Sequence, residues 1–401
     1  MGRSHSFRYR RRRSRLRTAA AAAALAASLV AGQEAVVDPS EHTGNRGQTQ
    51  DQGRVDSVPR QGPGKGPEGD TLYKGFSAYG MRDVGEECTP SPLWVKDVDA
   101  SSYELGCEDI EDMLANNTRL VGEGRVRKVY LAEYGEQTVA VKVLQHQSDT
   151  RLQQIEVATM DAVRGNPHIV QTLGICNTTV VTEAYMLDIQ SAVRKRMTAL
   201  PIGEAVTMSL DAVRGLQALH EAVGGPIVHF DIKPAQLLVT GNGRVKLNDF
   251  NVAWFMSRRP DGKPCPFNML AQIRNSGPWR APEYLTRKDR MAADSLRRWR
   301  SLMEYAGDNQ EDAEDNQEPM TEKIDIYRMG LVLRKFVAGE GMRIPGAREA
   351  KGAIPVFRTT WHRSYSEIVQ DMIAVEATQR PSAREVSKRL EVILQGLPQV
   401  P

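Results

Sequence analysis

The chain has little with which to build a metal centre or a disulfide scaffold. Its four cysteines, Cys88, Cys107, Cys176 and Cys265, are spread over 401 residues without a CxxC pair, and its seven histidines form no ligand run. A structural zinc site therefore has no support, and so few cysteines cannot define a disulfide-rich fold. Charge of one sign is lacking too. The formal net charge is +3, and the arginine-rich run RYRRRRSRLR at 8–17 more than accounts for it. The remainder is mildly acidic, which gives no case for a nucleic-acid partner. Long apolar runs are also scarce. The alanine-rich stretch Ala19–Ala31 falls short of the roughly 20 residues of a membrane helix.

What is present begins with a strongly biased N-terminus. Basic residues, an apolar run and then AGQEA have the order of a signal anchor or secretory signal, so residues 1–32 read as a targeting or signal-anchor segment. An organelle transit peptide, also arginine-rich and poor in acids, is the competing reading, followed by a cytoplasmic tail. Residues 33–84 carry few large apolar groups among Gly, Gln, Pro, Glu and Asp, too few to offset the entropy of ordering, and read as a disordered stalk. Asn116 and Asn177 each begin an N-x-T sequon, which has meaning only in the secretory pathway. The expectation is a single N-terminal membrane anchor and a luminal folded domain in the endoplasmic reticulum or Golgi. In such a compartment Cys88 and Cys107, close together before the first strand, would be the disulfide pair.

From Leu120 the pattern becomes regular. LVGEGRVRKVYLAEY at 120–134 alternates around glycines, and TVAVKVL at 138–144 reads as a strand with Lys142 near its end. TRLQQIEVATMDAV at 150–163 has apolar residues at helical spacing, and HIVQTLGIC and TTVVTEAYM read as two more strands. Residues 189–223 are largely helical by period. A basic piece, DRMAADSLRRWRSLMEY, and an acidic tract, GDNQEDAEDNQEP, read as a solvated insertion at about 285–320. Helical periodicity resumes at TEKIDIYRMGLVLRKFV, and TQRPSAREVSKRLEVIL reads as a closing helix that starts near Ser382. A strand-rich part thus precedes a helical part, with no internal repeat.

Two runs carry the chemistry. VHFDIKPAQLLV at 228–239 and VKLNDFNVA at 245–253 place Asp231 and Asp249 eighteen residues apart. Together with the ordered motifs GEGRVRKV, VAVK, APE and QRP, they make residues 118–396 resemble the eukaryotic protein-kinase superfamily. The resemblance implies an α+β, bilobal fold: a cysteine-containing extension at 85–117, a small antiparallel-sheet lobe and hinge at 118–185, and a larger helical lobe at 186–401. It implies ATP and Mg2+ as cofactors and transfer of the γ-phosphate to a hydroxyl, foremost Ser or Thr on protein. Lys233 in particular is typical of Ser/Thr kinases.

The roles follow the same resemblance. Gly122, Gly124 and Val129 would cover the nucleotide, with Arg127 where the pattern has a third glycine. Lys142 would hold phosphates, aimed by an ion pair with Glu156. Thr182 would be the gatekeeper, and Glu183 to Tyr185 the hinge that reads adenine through backbone groups. Asp231 would direct the acceptor hydroxyl while Lys233 neutralises developing charge. Asp249 would ligate the metal, with Phe250 packed behind it. His229 would support the loop. Glu283 with Arg380, and Asp325 beneath the catalytic loop, would be scaffold residues.

Besides Arg127, three positions depart from the pattern. Gln236 stands where an asparagine ligates the second metal; its carboxamide oxygen remains a hard ligand on a side chain one methylene longer. Asn251 replaces a glycine and can tolerate left-handed backbone. Phe230 takes the place of an arginine that receives an activation-loop phosphate, which argues against that kind of switch. Arg127, Gln236 and Asn251 motivate the alternative of a pseudokinase acting as a binding or scaffold module. A narrower resemblance, carried by EECTP, LGCEDI and EKIDIY with the insertion, is to the protein O-mannose kinase branch, whose acceptor is a mannose hydroxyl on a glycan in the lumen. That branch departs from the usual pattern at the strand lysine, which this chain keeps as Lys142.

Overall fold

The computed structural model describes residues 81–284 apart from 86, 95–96, 117, 125, 197–199 and 270–278, together with 319–337 and 360–397. The targeting segment, nearly all of the stalk, and the insertion up to 318 lie outside the described residues. In chain order the first half contains β1 (Met81–Asp83), α1 (Cys107–Asn116), β2 (Thr118–Glu123), β3 (Arg127–Tyr134), β4 (Gln137–Leu144), α2 (Thr150–Ala162), β5 (Thr172–Cys176) and β6 (Thr179–Glu183). After it come β7 (Leu187–Asp188), α3 (Ile189–Arg196), α4 (Ile202–His220), β8 (Ile227–Val228), β9 (Leu237–Val239), β10 (Val245–Leu247), β11 (Trp254–Phe255) and β12 (Phe267–Met269). The chain closes with α5 (Lys323–Val337), α6 (Thr360–Met372) and α7 (Ala383–Gly396).

The smaller lobe is a five-stranded antiparallel sheet in the order β2-β3-β4-β6-β5. The hairpin joining β3 to β4 turns at Gly135, whose φ of 60° a glycine adopts without strain. Leu152, Ile155, Glu156, Thr159 and Met160 of α2 are buried, at the i, i+3, i+4 spacing of one helix face. That spacing carries an acid inward along with the apolar side chains. On the other side of the sheet, Leu105, Ile110 and Met113 form a second apolar cluster with Val139, Val141 and Val181. A Cβ on Gly174 would lie 2.6 Å from Leu105 Cβ, so this close approach requires glycine.

The helical lobe is built around α4, which is apolar on most of its surface and is packed by α5 and α7. The closing helix starts as expected: Ser382 and Glu385 form a reciprocal capping box. The bilobal α+β arrangement thus agrees with the expectation from sequence.

The N-terminal extension does more than precede this fold. Its β1 pairs antiparallel with the distant β12, Met81 opposite Met269 and Asp83 opposite Phe267. Trp94 packs edge-on against Trp254 and Phe255, with ring centroids 5.2 and 4.7 Å apart, and donates its indole N–H to the Phe255 carbonyl at 3.0 Å. The extension therefore clasps the chain that follows Asp249.

Two expectations are corrected here. The cysteines pair as Cys88–Cys265 and Cys107–Cys176, with Cα separations of 6.1 and 4.9 Å, and not as Cys88–Cys107. The reason is register: a parallel bridge between Leu105 and Gly174 brings the residues two further on, Cys107 and Cys176, side by side. Likewise the antiparallel bridge Thr89–Arg258 and the bond from Cys265 N to Ser257 O bring Cys88 to Cys265. The membrane anchor, and the endoplasmic reticulum or Golgi placement built on it, is not upheld. Among the described residues no helix is long and apolar enough to cross a membrane, and residues 1–32 are not among them.

Candidate active site

The sheet register builds the upper half of the site. Val129 lies opposite Gly122 on β2 and opposite Lys142 on β4, so the expected nucleotide cover and the lysine share one cleft. Residues directly opposed in a sheet point to the same face, and so do residues two apart on one strand. Arg127 therefore joins Val129 and Lys142 on that face. The turn between β2 and β3 is closed by Gly124 N donating to Arg127 O at 2.9 Å.

Lys142 is buried and donates to Glu156 Oε1 at 2.9 Å and to Asn248 Oδ1 at 3.1 Å. Glu156 is fully buried on α2, and its other oxygen contacts Arg127 Nη1. Burial pulls the Lys142 ammonium down to about 8; the Arg127 charge adds to that fall and Asp249 opposes it. Burial likewise pulls the Arg127 guanidinium down to about 10 against the pull of Asp249. The ion pair expected between Lys142 and Glu156 is formed. The second cation on Glu156 was not expected.

The lower half rests on the β9–β10 hairpin. Its pairing sets Leu247 opposite Leu237, so the flanking Gln236 and Asn248 meet, and Asn248 N donates to Gln236 O at 3.0 Å. Asp249 follows with φ 67°, a left-handed conformation uncommon outside glycine. Gln236 Nε2 then lies 2.9 Å from Asp249 Oδ2 and 3.3 Å from Asp231 Oδ2. The two carboxylates thus converge on one amide. Lys233 Nζ donates to Asp231 Oδ2 at 2.7 Å.

Backbone bonds to an acid beneath fix the Asp231 loop. Asp325, fully buried on α5, accepts from His229 N at 2.6 Å and Phe230 N at 3.0 Å. Phe230 is held at φ 65°, a strained backbone sustained by these contacts. The His229 ring stands 3.0 Å from Asn248 O and packs on Phe250, with ring centroids 5.2 Å apart, as a loop support should. Arg328, also on α5, donates to Phe230 O and lies over the Phe230 ring at 5.0 Å. Sequence reading missed Arg328; an arginine among the apolar residues of IDIYRMGLVL was the available signal.

The scaffold and hinge residues are equally placed. Arg380 holds Glu283 through two bonds of 2.6 and 2.7 Å. Thr182 is buried at the end of β6. The Glu183 carboxylate is taken by Lys246 at 2.6 Å and Gln171 N at 3.0 Å. Tyr185 packs on the main core. The left-handed residue of this turn is Asp249, so the tolerance expected of Asn251 is not called on. A cavity of about 460 Å³ between α1 and the outer strands, bordered by Asn116, Arg119 and Met186, contains none of these groups.

The donor set fits a hard cation. Among the described residues no three His, Cys, Asp or Glu side chains are placed to cage a metal alone. The Asp249 carboxylate and the Gln236 carboxamide are oxygen ligands of the kind magnesium takes when phosphates complete its shell. A half-turn of the Gln236 amide exchanges its nitrogen for its oxygen.

Comparison with known proteins agrees with this geometry. Residues 115–299 match the model of the protein kinase domain. Serine/threonine-protein kinase 12 of Arabidopsis thaliana is 27% identical over 277 residues, covering 64% of this chain and 52% of that one. Dual specificity protein kinase shkA of Dictyostelium discoideum is 28% identical over 319 residues, covering 75% and 54%. Integrin-linked protein kinase 1 of Arabidopsis thaliana is 25% identical over 284 residues, covering 66% and 52%. The chain spans about half the length of these curated relatives.

Proposed function

We propose that this chain acts as a member of the eukaryotic protein-kinase superfamily and moves the γ-phosphate of ATP to an alcohol hydroxyl, with Ser or Thr on protein as the first acceptor class. The observation that carries this reading is the convergence of Asp231 and Asp249 on Gln236, at 3.3 and 2.9 Å. An acceptor-directing acid and a metal-binding acid must stand side by side for in-line transfer.

Lys142, held on Glu156, presents its ammonium to the phosphates. Asp249 and Gln236 would hold magnesium, which when bound neutralises charge on the phosphates. Asp231 Oδ2 orients the acceptor hydroxyl and takes its proton as the oxygen attacks phosphorus. Lys233, bonded to the same oxygen, offsets charge on the transferred group.

The test is transfer of labelled γ-phosphate by the full chain with magnesium, to Ser/Thr peptides and separately to a mannose-bearing glycopeptide. Transfer to peptide that Asp249→Ala abolishes supports the reading. Transfer to the glycopeptide alone moves the acceptor to a glycan hydroxyl. A second reading, a nucleotide-binding module without transfer, is favoured by one feature: the Gln236 amide is bonded to both carboxylates that would do the chemistry. Magnesium-dependent ATP binding with no transfer to either acceptor supports that module.

A further inference from the structure

Arg127 is a buried charge whose ion pair to Glu156 uses only part of its guanidinium. It is 7% exposed, and it shares Glu156 with Lys142, so two buried cations face one buried carboxylate. Its Nε and Nη2 have no hydrogen-bond partner. Those two nitrogens carry three N–H groups in a planar fork, and unmet buried donors of this kind destabilise a fold unless something accepts from them. Beyond Glu156, the charge of Asp249, the expected metal ligand, also acts on Arg127. The surplus positive charge therefore sits between the glycine turn and the metal-binding acid, on the sheet face it shares with Lys142.

A guanidinium fork with free N–H groups matches phosphate oxygens in pairs, which an ammonium cannot do. We infer that Arg127 is a second phosphate-binding cation, which takes anionic oxygens of a nucleoside di- or triphosphate beside Lys142. This rests on the reading that a nucleotide's phosphates enter the cleft. Two protein cations on the phosphates make nucleotide binding less dependent on a divalent ion. They also explain why the chain carries arginine where a cover loop would otherwise carry glycine: β3 begins there, and its first side chain is turned inward.

The competing role is purely structural, with Arg127 serving only to hold Glu156. The two roles differ in what they do to a ligand without phosphates. Equilibrium binding of the full chain to ATP, ADP and adenosine is measured with divalent ions chelated, for wild type, Arg127→Met and Arg127→Lys. The wild type is expected to bind ATP and ADP more tightly than adenosine. Arg127→Met is expected to weaken ATP and ADP by about tenfold or more, the worth of one charge-assisted bond, and to leave adenosine unchanged. Arg127→Lys keeps the charge without the fork and recovers part of the loss; should Arg127→Met fail to fold, its ATP-to-adenosine ratio decides.

Three results would overturn the inference. If Arg127→Met binds ATP as the wild type does, Arg127 does not touch phosphate, and the proposed function stands. If ATP and adenosine weaken equally, the role is structural, and again the function stands. If the wild type does not prefer ATP to adenosine with or without magnesium, the nucleotide reading itself fails and the inference falls with it.

Discussion

Removing Arg380 is expected to cost more stability than any other single charge deletion in the helical lobe. The side chain is fully enclosed and all five of its N–H groups are used: two on Glu283, and one each on the carbonyls of Ala374, Lys323 and Val375. Arg380→Met leaves Glu283, itself buried, as an uncompensated carboxylate, and strands three carbonyls that tie the end of α6 to the start of α5. Breaking a buried pair by deleting one partner costs about 3–5 kcal/mol. Glu283→Gln should cost less, because its amide oxygen still accepts from the guanidinium. The double variant should recover part of the Arg380→Met loss, since no isolated carboxylate remains. Urea unfolding followed by far-UV circular dichroism measures all three. A loss below about 1 kcal/mol for Arg380→Met, in the range of an exposed pair, would refute the claim that this bond secures the segment ending at Glu283.

Other expectations follow from the same contacts. Burial pulls the Lys142 ammonium down to about 8, and only its charged form attracts phosphate, so ATP affinity should be full below that pH and fall as pH rises through it; affinity unchanged from pH 7 to 10 would contradict that lowering. Gln236→Asn shortens the side chain by one methylene and loses contact with at least one of the two carboxylates, so the phosphoryl-transfer rate at fixed magnesium should fall by about tenfold; a rise would show that glutamine compromises the site. Peptide mapping under non-reducing conditions should recover Cys88 with Cys265 and Cys107 with Cys176, and Cys88→Ser with Cys265→Ser should lower stability by about 2–4 kcal/mol. A Cys88–Cys107 peptide would contradict the register argument.

Much of the site was legible because its parts are local. Asp231, Lys233 and Gln236 lie on one loop, Lys142 on one alternating strand, and Glu156 is the acid on one helix, so their order along the chain could be matched to the kinase pattern they resemble. The cysteine pairing was not legible, because it depends on β1 meeting β12 and on Leu105 meeting Gly174, contacts between distant segments too short to show a pattern. Proximity in sequence therefore suggested the wrong bridge. Arg127 was hidden for a different reason. A charged residue beside a glycine turn reads as exposed, and only the strand register shows that its side chain turns into the cleft. The left-handed conformation of Asp249 was not legible either, because residue type, as at Asn251, predicts tolerance of that backbone and not its location.

The central claim is that Asp231 and Asp249 form a working phosphoryl-transfer centre. Its most direct test is single-turnover transfer of the labelled γ-phosphate to a hydroxyl acceptor, with wild type and Asp231→Asn compared at saturating ATP and magnesium. Asparagine keeps the shape and the contact with Lys233 but cannot take a proton. The account expects transfer by the wild type, slowed by about 100-fold or more in the variant, with ATP affinity unchanged. Equal rates in the two proteins, or no transfer by the wild type while it binds ATP, would contradict it.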